Sequence, residues 1–415
     1  MNYPLEKSVG KSGFILAAMV LFIFSSSAWP MEKVNIRHLV QGKKVIPVTC
    51  RIGNWQITDI KLPDLVVTNR QKTPATVERV EVIGRISDNE SVRLIISSKG
   101  LKEAVAETAA MLNSPKLQLP TVQLAFGNVD LPHGPLAENG TAAAGQSLLL
   151  PLSKIAYFHH VGHEKINNLE IRLTVKSIGK KTLASFPVPL THYEARGKYS
   201  FPVKGDVQMA FLPMSYIHHR QSASQEFAID LVGANQKDAA SFTEISRPEP
   251  RTLSDYSIWG REVLAMGDGL IVEVGDQFPE ARMSEVAKFT RPGYTQELLM
   301  ELIPKIGWTN AVAGNYVIID HENGEFSAYG HLQEGSIRVK PGERVRKGAV
   351  IAKVGNTGNS GAPHLHFQLM DSRNFLTANG LPMMFENVPA QAMIPVMPVT
   401  ANTLSFSDNI FYAVR

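Results

Sequence analysis

"GNSGAPHLHFQLMD", Gly358 to Asp371, sets two histidines one residue apart, just after a glycine-rich turn and a proline. Successive side chains of a β-strand point to opposite faces, so His364 and His366 share one face while Leu365 and Phe367 take the other. Two imidazoles aimed the same way face either solvent or something they bind. Upstream, "REVLAMGDGLIVEVGD", "AGNYVIIDHENGEFSAYGHL" and "GERVRKGAVIAKVGN" read as strands separated by tight glycine turns. The Asn-Gly of "ENGE", Glu322 to Glu325, suits a type I′ hairpin turn. "MSEVAKFTRPGYTQELLMELIPKIGW" predicts a short helix over the sheet or a cleft.

The texture before residue 190 differs. "IPVTCRIGNWQI", "LPDLVVTNR", "ATVERVEVIGRI", "SVRLIISS" and "NLEIRLTVKSI" are short β-rich runs, with clean alternation in "RVEVIGRI" and "LEIRLTV". They predict a β-sandwich of immunoglobulin-like type. "GLKEAVAETAAMLN" breaks the pattern with Ala, Leu and Glu at helical spacing, and "AENGTAAAGQS" reads as a surface loop. "FPVPLTHYEARGKYSFPVKGD", rich in Pro and polar residues, reads as the join between domains.

The chain has 415 residues, too many for one ordinary core, and its 44% hydrophobic and 19% charged content describes a folded globular protein. A net charge of +4, with basic residues dispersed among acids, leaves no nucleic-acid footprint. Lys7 and Lys11 precede the apolar run Phe14 to Phe24 and then "SSSA" ending at Ala28, the three-part pattern of a secretory signal peptide. That run is shorter than the ~20 residues a spanning helix needs, so no stable membrane span is expected once it is cleaved. Cys50, the single cysteine, cannot form an internal disulfide, and it reads as a small apolar core residue.

"PHLHF", with "AYGHL" upstream and "VKPGERVRKGAVIAKVGNTGNSGA" between them, resembles the lysostaphin-type (LytM-like) zinc metallopeptidases over roughly residues 201–382. The resemblance implies a small antiparallel β metallopeptidase domain with a groove. It also implies a Zn²⁺ cofactor, with His366 as a metal ligand and His331 and His364 as catalytic histidines. The family's remaining ligands are usually a His and an Asp in a His-x-x-x-Asp spacing. Here Asp230 of "QEFAID" supplies the aspartate, but Glu226 stands four before it. "YIHHRQSASQEFAID" offers His219 as the favoured first ligand, then His218, then Glu226, which would share Asp230's strand face. Family members cleave peptide bonds in bacterial peptidoglycan. The implied protein is therefore a periplasmic or secreted endopeptidase acting on peptidoglycan peptides, and its oligomeric state is not legible.

Plainer readings stand beside these. Asp230 could be a turn carboxylate, although its apolar flanks favour a buried anion that needs a cation. His321 reads as turn-flanking and Tyr329 as a packed hairpin residue. His159, His160 and His163 in "FHHVGHEK" read as a surface loop. Gly355, Gly358 and Gly361 lack a phosphate loop's Gly-Lys-Ser/Thr ending and serve to turn the backbone. Two rivals to the enzyme are a catalytically inactive relative that binds peptidoglycan or activates an amidase, and a secreted scaffold. The expected organisation is 1–28 signal peptide, 29–195 sandwich, 196–388 metallopeptidase and 389–415 tail.

Overall fold

The computed structural model describes residues 33–40, 42–52, 54–87, 89–115, 119–205, 207–211, 219–233, 252–383, 385–386, 390–393 and 411–414. The signal segment and His218 lie outside these residues. Among the described residues no helix is long and apolar enough to cross a membrane.

The chain is mostly β, and its sheets are antiparallel. Among the described residues eleven strands precede residue 190: β1 (Val34–His38), β2 (Val48–Ile52), β3 (Trp55–Lys61), β4 (Leu65–Asn69), β5 (Ala75–Ile86), β6 (Asn89–Ile96), β7 (Thr141–Ala142), β8 (Ser147–Leu150), β9 (Tyr157–Gly162), β10 (Asn168–Ser177) and β11 (Lys180–Pro189). They form three sheets, β1-β4-β8, β2-β3-β9 and β11-β10-β5-β6, with β7 paired to β5. Alternation along β10 buries Leu169, Ile171, Leu173 and Val175 in a core shared with Val80, Val82 and Phe158. Helix α1 (Ser98–Leu112), capped by the Ser97 side chain, is the one legible from Ala, Leu and Glu spacing. A second helix, α2 (Leu119–Phe126), and a short α3 (Leu152–Ile155) carry no such signal.

"FHHVGHEK" is not a surface loop. Tyr157–Gly162 is strand β9, paired residue by residue with β3, so that Asp59 stands opposite His159. The histidines hid the strand because neither of its faces reads as apolar. His163, just beyond, is exposed and stacks on Trp55 with ring centroids 4.4 Å apart.

The second half builds a ten-stranded sheet. Its strands are β12 (Val207–Phe211), β13 (Ile229–Gly233), β15 (Gly269–Gly275), β16 (Asn315–Asp320), β17 (Phe326–Leu332), β18 (Arg344–Val345), β20 (Leu365–Met370), β21 (Gly380–Leu381), β22 (Ala390–Met393) and β23 (Phe411–Val414). β14 (Glu262–Leu264) and β19 (Val350–Lys353) pair separately. The spatial order β18-β15-β16-β17-β20-β13-β12-β23-β22 puts β20 between β17 and β13, and β21 pairs with β20. The described part of the tail thus extends this sheet beyond β12. "MSEVAKF" to "GW" holds more helix than expected: α4 (Met283–Val286), α5 (Tyr294–Ile306) and then α6 (Trp308–Ala313).

The β16–β17 hairpin is present, but its turn is not type I′ on Asn-Gly. Five residues connect the strands, and positive φ falls on Glu322 (57°) and Gly324 (84°). The reason lies in Glu325, which is buried and accepts hydrogen bonds from the Tyr193 and Tyr199 hydroxyls, from the Arg196 and Gly197 amides at 2.8 and 3.0 Å, and from Asn323 Nδ2 at 3.1 Å. This one carboxylate fastens the segment that joins the two halves to the hairpin.

Burial pushes the Glu325 pKa up, but the hydrogen bonds from the two tyrosines and two amides outweigh it and hold the carboxyl below its usual range. A lowered carboxylate pKa contributes stability above the unfolded value, and that stability is lost as pH falls through the folded one. Glu325→Gln is therefore expected to destabilise the fold by about 1–3 kcal/mol near neutral pH. In thermal melts, the gap between variant and parent should close as pH drops below the ordinary glutamate range.

Candidate metal centre and groove

Asp230 is the second residue of β13, directly opposite His366 on β20, and is 2% exposed. A carboxylate with no water needs compensation. His219 Nε2 lies 2.9 Å from Oδ2, and His366 Nδ1 and His364 Nε2 lie 3.1 and 3.6 Å from Oδ1. Burial raises the Asp230 pKa, but the charges of His219 and His364 overcome it and hold the carboxyl well below its ordinary value. Burial likewise disfavours charge on His219, yet the facing carboxylate prevails and raises its pKa.

His219 is reached through a short 3₁₀ turn, His219–Gln221, that leads into the turn before β13. Its Nδ1–H donates to Gln225 Oε1 at 3.2 Å. His366 donates Nε2–H to Gln368 Oε1 at 2.8 Å, and Gln368 donates to the Ser224 carbonyl at 3.3 Å. Each imidazole thus has its outward nitrogen occupied by an amide and its other nitrogen turned to Asp230. Outer partners of this kind fix the tautomer of metal-binding histidines.

The ligand atoms of His219, Asp230 and His366 lie within 4.8 Å of one another. The two imidazoles approach different oxygens of the same carboxylate, His219 Nε2 lying 2.9 Å from Oδ2 and His366 Nδ1 3.1 Å from Oδ1. Two imidazoles and one carboxylate are zinc's donor set for a site that keeps a position open, so the residues fit the ion the sequence resemblance implies.

Glu226 takes no part. It lies in the turn before β13 rather than on the strand, so the alternation that would have set it beside Asp230 does not apply. It pairs instead with Lys43 at 3.1 Å and approaches Arg220 at 4.0 Å.

His331 and His364 stand beside this cluster, with ring centroids 4.5 Å apart, and His331 lies 5.9 Å from His366. Strict alternation would give His331 the face of Tyr329. Tyr329, however, is a packed core residue whose hydroxyl accepts from the Met266 amide at 2.9 Å. The register of β17 against β16 shifts between Leu332 and Tyr329, and His331 has φ of 57°. This bulge re-aims the imidazole into the groove, in a backbone conformation that few residues other than glycine adopt.

His331 Nδ1–H donates to Thr357 O at 2.8 Å, and His364 Nδ1–H to Ala362 O at 2.7 Å, which leaves each Nε2 free of a backbone partner. Burial, reinforced by the neighbouring His364 and His366, pushes the His331 pKa well below its usual value. Thr357 can come this close because Gly314, φ 65°, has no Cβ: one placed there would stand 2.3 Å from Thr357 O. His321 is elsewhere, bonded to Asp268 O and Ser327 Oγ at the hairpin end.

All five residues line one groove of about 640 Å³, walled also by Phe289 and Phe375. Gln225 and Gln368 were not singled out from sequence, although Gln368 lies one strand period beyond His366 and alternation alone puts it on the same face.

Residues 302–378 match peptidase family M23. That stretch is an M23 peptidase domain. The match contains His331, His364 and His366, whereas His219 and Asp230 fall before it and join the site through the geometry just described. The chain is 39% identical over 85 residues to peptidoglycan DD-endopeptidase ShyA of Vibrio cholerae serotype O1, covering 20% of this chain and 18% of that one. It is 33% identical over 114 residues to glycyl-glycine endopeptidase ALE-1 of Staphylococcus capitis, covering 26% and 28%. The aligned part thus spans less than a third of the length of these relatives.

Gln368→Leu would leave the His366 Nε2–H and the Ser224 carbonyl without their partner. Zinc affinity, measured by chelator competition, is expected to fall about tenfold or more.

Proposed function

We propose that this protein is a zinc-dependent endopeptidase that hydrolyses peptide bonds in bacterial peptidoglycan cross-links. The observation that carries the reading is the convergence of His219, Asp230 and His366 with His331 and His364 in one groove. Bound zinc would activate a water and polarise the attacked carbonyl. His219, Asp230 and His366 are the assigned ligands. With Nδ1–H given to Thr357 and its pKa depressed, His331 stays neutral near pH 7 and offers Nε2 as a proton acceptor. His364, oriented by Ala362, turns Nε2 to the same centre, where a proton carried on that nitrogen would steady charge on the carbonyl oxygen, and the proton that His331 accepts from the water would pass to the leaving amine.

In this reading residues 29–195 form an accessory β domain and 196–388 the peptidase. The segment 1–28 directs export, so the enzyme works in the periplasm or outside the cell. The wall-degrading activities in the names of the two relatives support a peptidoglycan substrate.

His366→Ala and Asp230→Ala are each expected to lose bound zinc in metal analysis of the purified chain, and parental zinc content in both would defeat the ligand assignment. His331→Ala and His364→Ala should keep zinc yet digest isolated sacculi about a hundredfold or more slowly. Parental digestion by either variant removes that residue from the chemistry.

A further inference from the structure

We infer that the N-terminal β domain is a working part of the metal centre, because Asp59 on β3, through Arg220, seats the ligand His219. This rests on the metal reading above. Arg220 directly follows His219, and its side chain, like that of Asp59, is only 1% exposed, with NH1 3.0 Å from Oδ2. A buried guanidinium has few places to go. Once it is docked on Asp59, the neighbouring imidazole is confined to one approach to Asp230.

Further contacts hold the same turn to the first half of the chain. Lys61 Nζ donates to the Ser222 carbonyl at 3.4 Å, the Ser222 hydroxyl donates to the Leu124 carbonyl at 2.8 Å, and Lys43 pairs with Glu226 at 3.1 Å. On the peptidase side the holds fall on the residues after Ser222: Gly380 N donates to the Ala223 carbonyl at 2.9 Å and Gln368 to that of Ser224 at 3.3 Å. Arg220 and Ser222, next to His219, are therefore moored to the accessory domain, Ala223 and Ser224 to the peptidase sheet, and Glu226 again to the accessory domain through Lys43. Arg220 and Asp59 are positioning residues: neither touches the groove, and their effect reaches the metal only through His219.

The test uses the full chain. Arg220→Met combined with Asp59→Leu replaces the pair with apolar groups, an exchange that buried ion pairs often tolerate. We expect the metal-free double variant to melt near the parent, zinc affinity by chelator competition to fall about tenfold or more, and the absorption bands of the cobalt-substituted protein to change. Parental zinc affinity in the folded double variant would overturn the inference and leave the pair as a domain fastener only. If the double variant does not fold, Asp59→Asn, which keeps the side chain's shape but removes the charge that holds Arg220, is the arbiter: severalfold weaker zinc binding supports the inference and parental binding overturns it. His219→Ala serves as reference, since parental affinity there would instead defeat the metal reading on which this rests.

Discussion

The site depends on one buried negative charge. Asp230 is shut away from water in β13, and among the described residues its charge is compensated by imidazoles delivered by other parts of the chain. His366 arrives by strand pairing, His364 from the residue just before β20, and His219 by a turn that no strand regularity places. A carboxylate left alone there would be costly, so the same electrostatics that favour binding a cation also hold the sheet centre and the turn together.

Two kinds of rigidity surround it. The sheet fixes Asp230 and His366 to within a register, and the amides of Gln225 and Gln368 fix which nitrogen each imidazole turns inward. His331 and His364 are aimed by backbone irregularity instead: a bulge and a left-handed residue for His331, and the bends just before it for His364. Gly314, lacking a side chain, allows Thr357 to reach His331. The regular parts of the fold thus hold Asp230 and His366, and its irregular parts deliver His219 and aim His331 and His364.

Much of this was legible in the residues. His364 and His366 fall on one face by alternation alone, and the strands around them are marked by glycine turns. The pairing of Asp230 with His219 rather than Glu226 was not decidable from spacing, because the choice turns on a non-strand turn whose course is set by Lys43, Asp59 and Lys61, far away in sequence. The "FHHVG" strand escaped notice because its polar side chains face other buried polar groups, so the usual contrast between an apolar and a polar face is missing. The hairpin at "ENGE" was legible but its turn type was not, since local Asn-Gly preference yields to the hydrogen bonds that converge on Glu325.

The mooring of His219 to the first half of the chain bears on the order in which the protein becomes competent. Lys61 leaves the ribosome 161 residues ahead of Ser222, so a cradle for the turn can be folded before the turn exists. His366, in contrast, is made 136 residues after Asp230. A nascent or truncated chain lacking β20 therefore has the cradle, the turn and the carboxylate but not the second imidazole, and the centre closes only when nearly the whole described chain has been synthesised. That sequence of events leaves the unfinished molecule without a complete metal centre.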